Sequence, residues 1–135
     1  MEKIDITSLK KAHKSLNEVI DIYLNDKLNS IVKDSMIQRF EYTYSIALKI
    51  IKRYFSKSAF ILDNIEDMSF NDMIRNASKM GLLKSNLEKW TIFRQKRNLT
   101  SHTYDEKTAN DVISIIEDFS SEIEFLIAQL ESKIL

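Results

Sequence analysis

The sequence predicts an all-α protein, an up-and-down four-helix bundle with one extra short helix. Three observations lead there. The 135 residues include one glycine and no proline, whereas sheets with tight hairpins lean on both. Apolar residues recur at three- and four-residue steps along most of the chain, as in helices that bury one face. The links between these stretches are short and polar, which suits neighbouring helices in a bundle. No repeat, low-complexity stretch or linker interrupts the pattern. Residues 1–135 therefore read as one domain, large enough to bury about two-thirds of its unfolded surface.

The first helix follows Asp5-Ile6-Thr7-Ser8, a run of good N-cap residues. Its stripe is Leu9, Ala12, Leu16, Val19, Ile20 and Tyr23, and Asn25 and Asp26 begin to break it. The second runs from about Ser30 to Lys57. Ile37, Phe40, Tyr44, Ala47, Leu48, Ile51 and Phe55 form its buried stripe, and Gln38, Arg39, Glu41, Lys49, Lys52 and Arg53 its other face. Residues 63–67 are acidic and irregular. Ser69 and Asp72 then make an approximate capping box, opening a short helix with Met73, Ala77 and Met80 inward. Gly81 ends it from a C′ position that needs a left-handed backbone. The next helix starts near Ser85 or Asn86, carries Leu87, Trp90 and Phe93 on one stripe, and frays between Asn98 and His102. The last is expected as one long amphipathic helix from about Asp105 to Leu135.

Composition excludes several chemistries. One glycine cannot build a Gly-rich phosphate loop, a dinucleotide fingerprint or a nucleophile elbow. The absence of cysteine removes disulfides, thiolate zinc sites and a Cys nucleophile. His13 and His102 alone leave little for a histidine metal site, and the carboxylates of the last helix have no histidine partners. We therefore expect no metal and no cofactor. The apolar runs fall far short of the roughly 20 residues that a spanning helix needs, so no membrane partner is expected. The start, M-E-K-I-D-I-T, lacks the basic and apolar regions of a signal peptide, which makes a cytoplasmic location the expectation.

Lys plus Arg and Asp plus Glu both number 20, so only local patches can attract a polyanion. Lys49, Lys52, Arg53 and Lys57 form one basic run. Lys84, Lys89, Arg94, Lys96 and Arg97 form another, against Glu88. Asp105, Glu106, Asp111, Glu117, Asp118, Glu122 and Glu124 oppose only Lys107. Two readings stand here: solvated helix faces, or a molecule with a basic face for phosphates and an acidic face for a basic protein.

The stretch richest in chemistry is Arg94-Gln95-Lys96-Arg97-Asn98-Leu99-Thr100-Ser101-His102-Thr103-Tyr104. Such side chains can bind and cleave phosphodiesters without metal. Arginine grips phosphate oxygens with a bidentate fork and stabilises charge that grows in the transition state. Histidine can take a proton from a ribose 2′-hydroxyl or give one to a leaving oxygen. Arg97 and His102 lie about 140° apart on an ideal helix. They converge only if the helix ends between them, or if they face a second subunit. The structural alternative is a helix C-terminus where cations suit the dipole and His102 caps carbonyls.

Arg97-Asn98 followed by His102-Thr103-Tyr104 resembles the Arg-(four residues)-His-x-Tyr motif of HEPN domains. Asp34-Ser35-Met36-Ile37-Gln38-Arg39-Phe40-Glu41-Tyr42-Thr43-Tyr44 resembles the second-helix signature of one HEPN branch, the nucleotidyltransferase substrate-binding-protein family. Gly81, Trp90 and Tyr104-Asp105-Glu106 fit it too. The resemblance spans nearly the whole chain. It implies a helical-bundle homodimer whose two Arg/His motifs line one cleft. It also implies a separately encoded minimal nucleotidyltransferase as partner. In related HEPN toxins the Arg and His act as a metal-independent ribonuclease, which corresponds to Arg97 and His102 here. Asn98 matches the polar residue that follows the Arg. Tyr104 matches the tyrosine that the partner can adenylylate, silencing the nuclease.

The reading is a toxin-type endoribonuclease acting on tRNA-like RNA and regulated by adenylylation. Arg94 and Lys96 would guide RNA. The rival is a non-catalytic subunit that holds a nucleotide or the transferase's substrate in the same cleft. A plain helical interaction module is a third. Around this site, Glu41 is a candidate ion-pair partner for Arg97 or Arg94. Trp90 is read as a core residue and His13 as a surface or boundary residue. One of Tyr42 and Tyr44 must be buried.

Overall fold

A computed structural model describes residues 4–58 and 65–134. Its elements are α1 (Thr7–Leu24), α2 (Ser30–Lys57), a 3-10 turn (Ile65–Asp67), α3 (Phe70–Lys79), α4 (Leu87–Asn98), a second 3-10 turn (Thr100–His102), α5 (Glu106–Ile113) and α6 (Ile116–Ile134). No strand occurs among the described residues. The all-α bundle stands. Part of the acidic link, Asp63 included, lies outside the described residues.

Helix ends follow local chemistry. The Asn29 side chain accepts from the amides of Ile31 and Val32, Ser69 accepts from Asp72, and Asn86 accepts from Lys89. Each satisfies a donor that the first turn leaves free. Helix α1 is capped from one residue further out, by Asp5 accepting from the Thr7 amide at 2.9 Å. At the end of α3, Gly81 takes φ +77°. The Leu82 amide donates to Ala77 O and the Gly81 amide to Ser78 O, both at 3.0 Å. This pair of bonds closes the helix in the Schellman manner.

The expected single C-terminal helix is two. It breaks at Ser114 and Ile115, where the Ser114 hydroxyl donates to Asp111 O at 2.6 Å and the Ile115 amide reaches only to Val112 O at 3.4 Å. A serine in mid-helix that bonds back to its own turn competes with the α pattern. Here it tightens one turn before the helix resumes.

Successive pairings run in opposite directions along α1 and α2. Arg39 Nη1 donates to Ser15 O at 2.7 Å, and the Thr43 hydroxyl donates to Ala12 O at 3.4 Å. Helices α4 and α5–α6 are likewise antiparallel, joined by Lys96–Asp111 at 2.8 Å and Lys89–Asp118 at 2.6 Å. The core gathers on Phe119, whose ring meets Phe40, Phe93 and Trp90 edge-on at 4.9, 5.4 and 6.4 Å. Edge-to-face contacts of this kind add to the stabilisation that burial gives. Trp90 is fully buried, and its indole Nε1 has no hydrogen-bond partner among the described residues.

Candidate functional site

The site is built where α4 ends. Its last two turns carry Arg94, Lys96, Arg97 and Asn98. Past Asn98 the chain tightens: the Leu99 amide donates to Lys96 O and the His102 amide to Leu99 O. The α-helix therefore does end between Arg97 and His102. The Thr100 hydroxyl fixes this turn by donating to Arg97 O at 2.8 Å and by contacting Glu41 Oε2 on α2. Glu41 thus serves Thr100 and is not the partner of an arginine; among the described residues no carboxylate lies within ion-pair distance of Arg94 or Arg97.

Two hollows flank the turn. The first, about 440 Å³, is lined by Tyr44, Ser45 and Leu48 of α2, Phe70 and Met73 of α3, and Arg94, Arg97 and Asn98 of α4. The Arg94 guanidinium sits 4.7 Å from the centroid of the Phe70 ring, a cation–π contact that holds it at the rim. The second, about 370 Å³, is lined by Asp34, Ile37, Gln38 and Glu41 of α2 with Thr100, Thr103 and Tyr104. Tyr104 is 90 % exposed. His102 is exposed on the turn, borders neither hollow, and has no side-chain hydrogen bond among the described residues. Within one chain the structure thus groups Arg94, Arg97 and Asn98, leaves Tyr104 exposed at the edge of the neighbouring hollow, and leaves His102 in solvent.

Lys96 is the candidate most altered by its surroundings. Its ammonium is paired with Asp111 and its side chain is only 19 % exposed. With Lys89–Asp118 and Lys33–Glu106 at 3.9 Å, this shows where the acidic C-terminal segment spends part of its charge: on lysines of the same chain. Glu106, Asp111 and Asp118 are to that extent engaged within the chain. The unneutralised cations at the site are Arg94 and Arg97.

Tyr44 is the buried member of the Tyr42/Tyr44 pair. Burial pushes its phenol up to about 12, against the opposing influence of Arg94 and Arg97. It remains a neutral donor at physiological pH. The folded state binds this proton more tightly than the unfolded chain, whose tyrosines titrate near 10. Its contribution to stability is therefore complete below pH 10 and is lost as pH climbs from 10 towards 12. The difference in tyrosinate absorbance between the parent and Tyr44→Phe, followed through an alkaline titration, should place this ionisation near pH 12. A difference step near pH 10 would contradict it.

Sequence reading passed over one residue that shapes the site. Glu122 is fully buried, and its two oxygens accept from the amides of Lys84 and Ser85 at 2.9 and 3.1 Å. It thereby anchors the loop that launches α4. The signal was available: Glu122 lies three after Phe119 and four before Leu126, on the apolar stripe of α6. His13 is a boundary residue as expected, its Nε2 lying 3.1 Å from Ser120 O.

Comparison with known proteins follows the same lines. The sequence matches, over residues 4–132, the family described as nucleotidyltransferase substrate binding protein like. The chain belongs to that family. A relative from Haemophilus influenzae, named "Probable ribonuclease HepT", is 36% identical over 140 residues, covering 98% of this chain and 95% of that protein. A solved Haemophilus influenzae structure, described as revealing the fold of a substrate binding domain of a nucleotidyltransferase, superposes with a TM-score of 0.86 at 34% identity, over 94% of this chain and 99% of that one. A Thermus thermophilus structure gives 0.69 at 26% identity, over 88% and 98%. The family's HEPN-like helical bundle is the fold seen here. No helix among the described residues is long and apolar enough to cross a membrane.

Proposed function

We propose that this family member is a metal-independent endoribonuclease that works beside a separately encoded minimal nucleotidyltransferase. The observation that carries the reading is the pair of guanidiniums, Arg94 and Arg97, without carboxylate partners at the rim of a hollow, two turns of chain from an exposed imidazole. The name of the Haemophilus influenzae relative supports it.

The chemistry needs no metal. A ribose 2′-oxygen attacks the adjacent phosphorus, forming the O2′–P bond as the P–O5′ bond breaks. The 2′-hydroxyl proton passes to an imidazole, and the departing O5′ gains a proton from water. The products are a 2′,3′-cyclic phosphate and a free 5′-hydroxyl. Arg97 binds the phosphate and stabilises its growing charge; His102 is the acid or base; Asn98 orients one of them. Arg94 and Lys96 steer RNA, Lys96 once released from Asp111. Because Arg97 and His102 of one chain do not share a hollow, a twofold homodimer supplies the missing juxtaposition, with residues 91–104 and α2 at the interface. Tyr104, standing clear of the surface, is the acceptor for AMP. Adenylylation there adds bulk and negative charge two residues from His102.

A second reading has its own observation. No group among the described residues orients the His102 ring, whereas a general base is ordinarily held by one, so a subunit that only binds nucleotide or the transferase's substrate fits that feature better. Incubating the pure protein with tRNA in EDTA separates the two. Cleavage that leaves cyclic-phosphate ends is expected; an intact tRNA at high protein concentration favours the binding subunit.

A further inference from the structure

The hollow between α2, α3 and α4 is more than a rim for phosphate. Its walls differ in chemistry. Leu48, Met73 and the half-buried Phe70 supply apolar surface, and Arg94 and Arg97 stand at one side. Its volume, about 440 Å³, lies at the lower end of the range for small-ligand sites, with room for one nucleobase and its phosphate. Three polar groups on its wall remain unused by the fold. The guanidiniums lack carboxylates, and the Tyr44 hydroxyl has no hydrogen-bond partner among the described residues although its ring is buried. As a phenol it is protonated at neutral pH and can donate to a ring nitrogen or carbonyl.

We infer that this hollow is a nucleobase subsite, which takes one unstacked base of a single-stranded RNA against Leu48, Met73 and Phe70 while Arg94 and Arg97 hold the phosphate joined to it. The inference deepens the ribonuclease reading, on which its choice of polymer rests, by naming where a substrate base goes. Physical reasons favour a single strand. A base enters an apolar hollow only after leaving its stack, and the gain comes from contact with its face, which every base possesses. Arg94 contributes twice. Its charge meets phosphate, and the plane of its guanidinium, held over Phe70, offers a surface on which a base can lie. Charge decides against an apolar peptide as occupant, since such a segment would leave both guanidiniums desolvated and unpaired.

The test uses the full-length protein carrying His102→Ala, so that nothing is cleaved, and fluorescein-labelled short single-stranded RNA oligomers. One oligomer is intact, and the others each carry an abasic ribose at one position. Fluorescence anisotropy gives the dissociation constants. One abasic position should weaken binding about 10-fold, the others much less. Ser45→Trp fills the hollow from α2. It should weaken the intact oligomer to a similar degree and erase the difference between intact and abasic RNA. Ser45→Glu, which adds a carboxylate before the arginines at a partly exposed helix turn, should do the same if the tryptophan variant fails to fold by circular dichroism. Equal binding of intact and abasic oligomers by the parent, no binding of either, or an intact–abasic difference that survives both Ser45 variants would each overturn the subsite. Cleavage of tRNA by the wild type is a separate readout. Base discrimination without cleavage keeps the subsite and removes the ribonuclease; cleavage without discrimination does the reverse.

Discussion

His102→Ala should lower RNA cleavage in EDTA by about 10²- to 10⁴-fold, the usual contribution of a positioned acid or base. Arg97→Ala should lose a comparable factor, since one charge-stabilising donor in the transition state is commonly worth about 10²- to 10³-fold. Arg97→Lys should recover little, because an ammonium keeps the charge and loses the fork. These losses read out chemistry and not folding. His102 is exposed with no hydrogen bond, and Arg97 has no ion pair among the described residues. Substitutions at such places usually move stability by no more than about 0.5 kcal/mol. Thermal melts of the three variants should overlay the parent's. The assay follows cyclic-phosphate ends on tRNA at several protein concentrations. Full cleavage by both alanine variants would remove the two residues from the reaction. Mixing Arg97→Ala with His102→Ala protein carries a sharper expectation. If one site draws its arginine from one protomer and its histidine from the other, re-equilibrated mixed dimers should regain a measurable part of the activity.

Glu122→Ala should be strongly destabilising. It leaves the Lys84 and Ser85 amides without their acceptor and opens space on the fully buried face of α6. An orphaned donor costs about 1–3 kcal/mol when buried. These two amides are partly buried, so a total of about 2–4 kcal/mol is the reasonable sum. For a chain of this length that corresponds to a melting point lower by on the order of 10 °C. Glu122→Gln keeps one carbonyl oxygen and turns its NH₂ towards the other amide, so about half of the loss should remain. Circular dichroism melts at neutral pH check the order parent, Gln, Ala. An alanine variant that melts with the parent would mean that the loop before α4 holds without the carboxylate.

The difference between what the sequence disclosed and what it withheld is a difference in range. Every stripe on α1, α2 and α4 could be read within a few residues, because helical periodicity is local. The Asn29, Ser69 and Asn86 caps and the Gly81 closure are local too. Even the short stretch that carries Arg97 and His102 was visible, since its residue types sit side by side. The misses depend on how side chains meet once the chain has folded. Periodicity along the last segment cannot reveal that Ser114 bonds back to Asp111 and breaks it in two. Counting charge cannot tell that Lys96 and Lys89 are partnered by Asp111 and Asp118. Glu41 lies within reach of Thr100, a residue 59 positions away, and only packing decides that the hydroxyl and not a guanidinium takes it. Phe70 and Met73 entered the candidate site from α3, a helix read from sequence as mere packing.

The chain's sole tryptophan, Trp90, is sealed among Phe93 and Phe119 with its indole nitrogen unmatched. A chromophore so shielded from water and from polar relaxation emits at the blue end of its spectrum. Its colour then reports one event, the arrival of solvent in the middle of the bundle, with no second indole to blur it. Loosening of the helix that bears Arg94 and Arg97 would register as a red shift, while ligands that merely settle on the surface would leave the hue untouched.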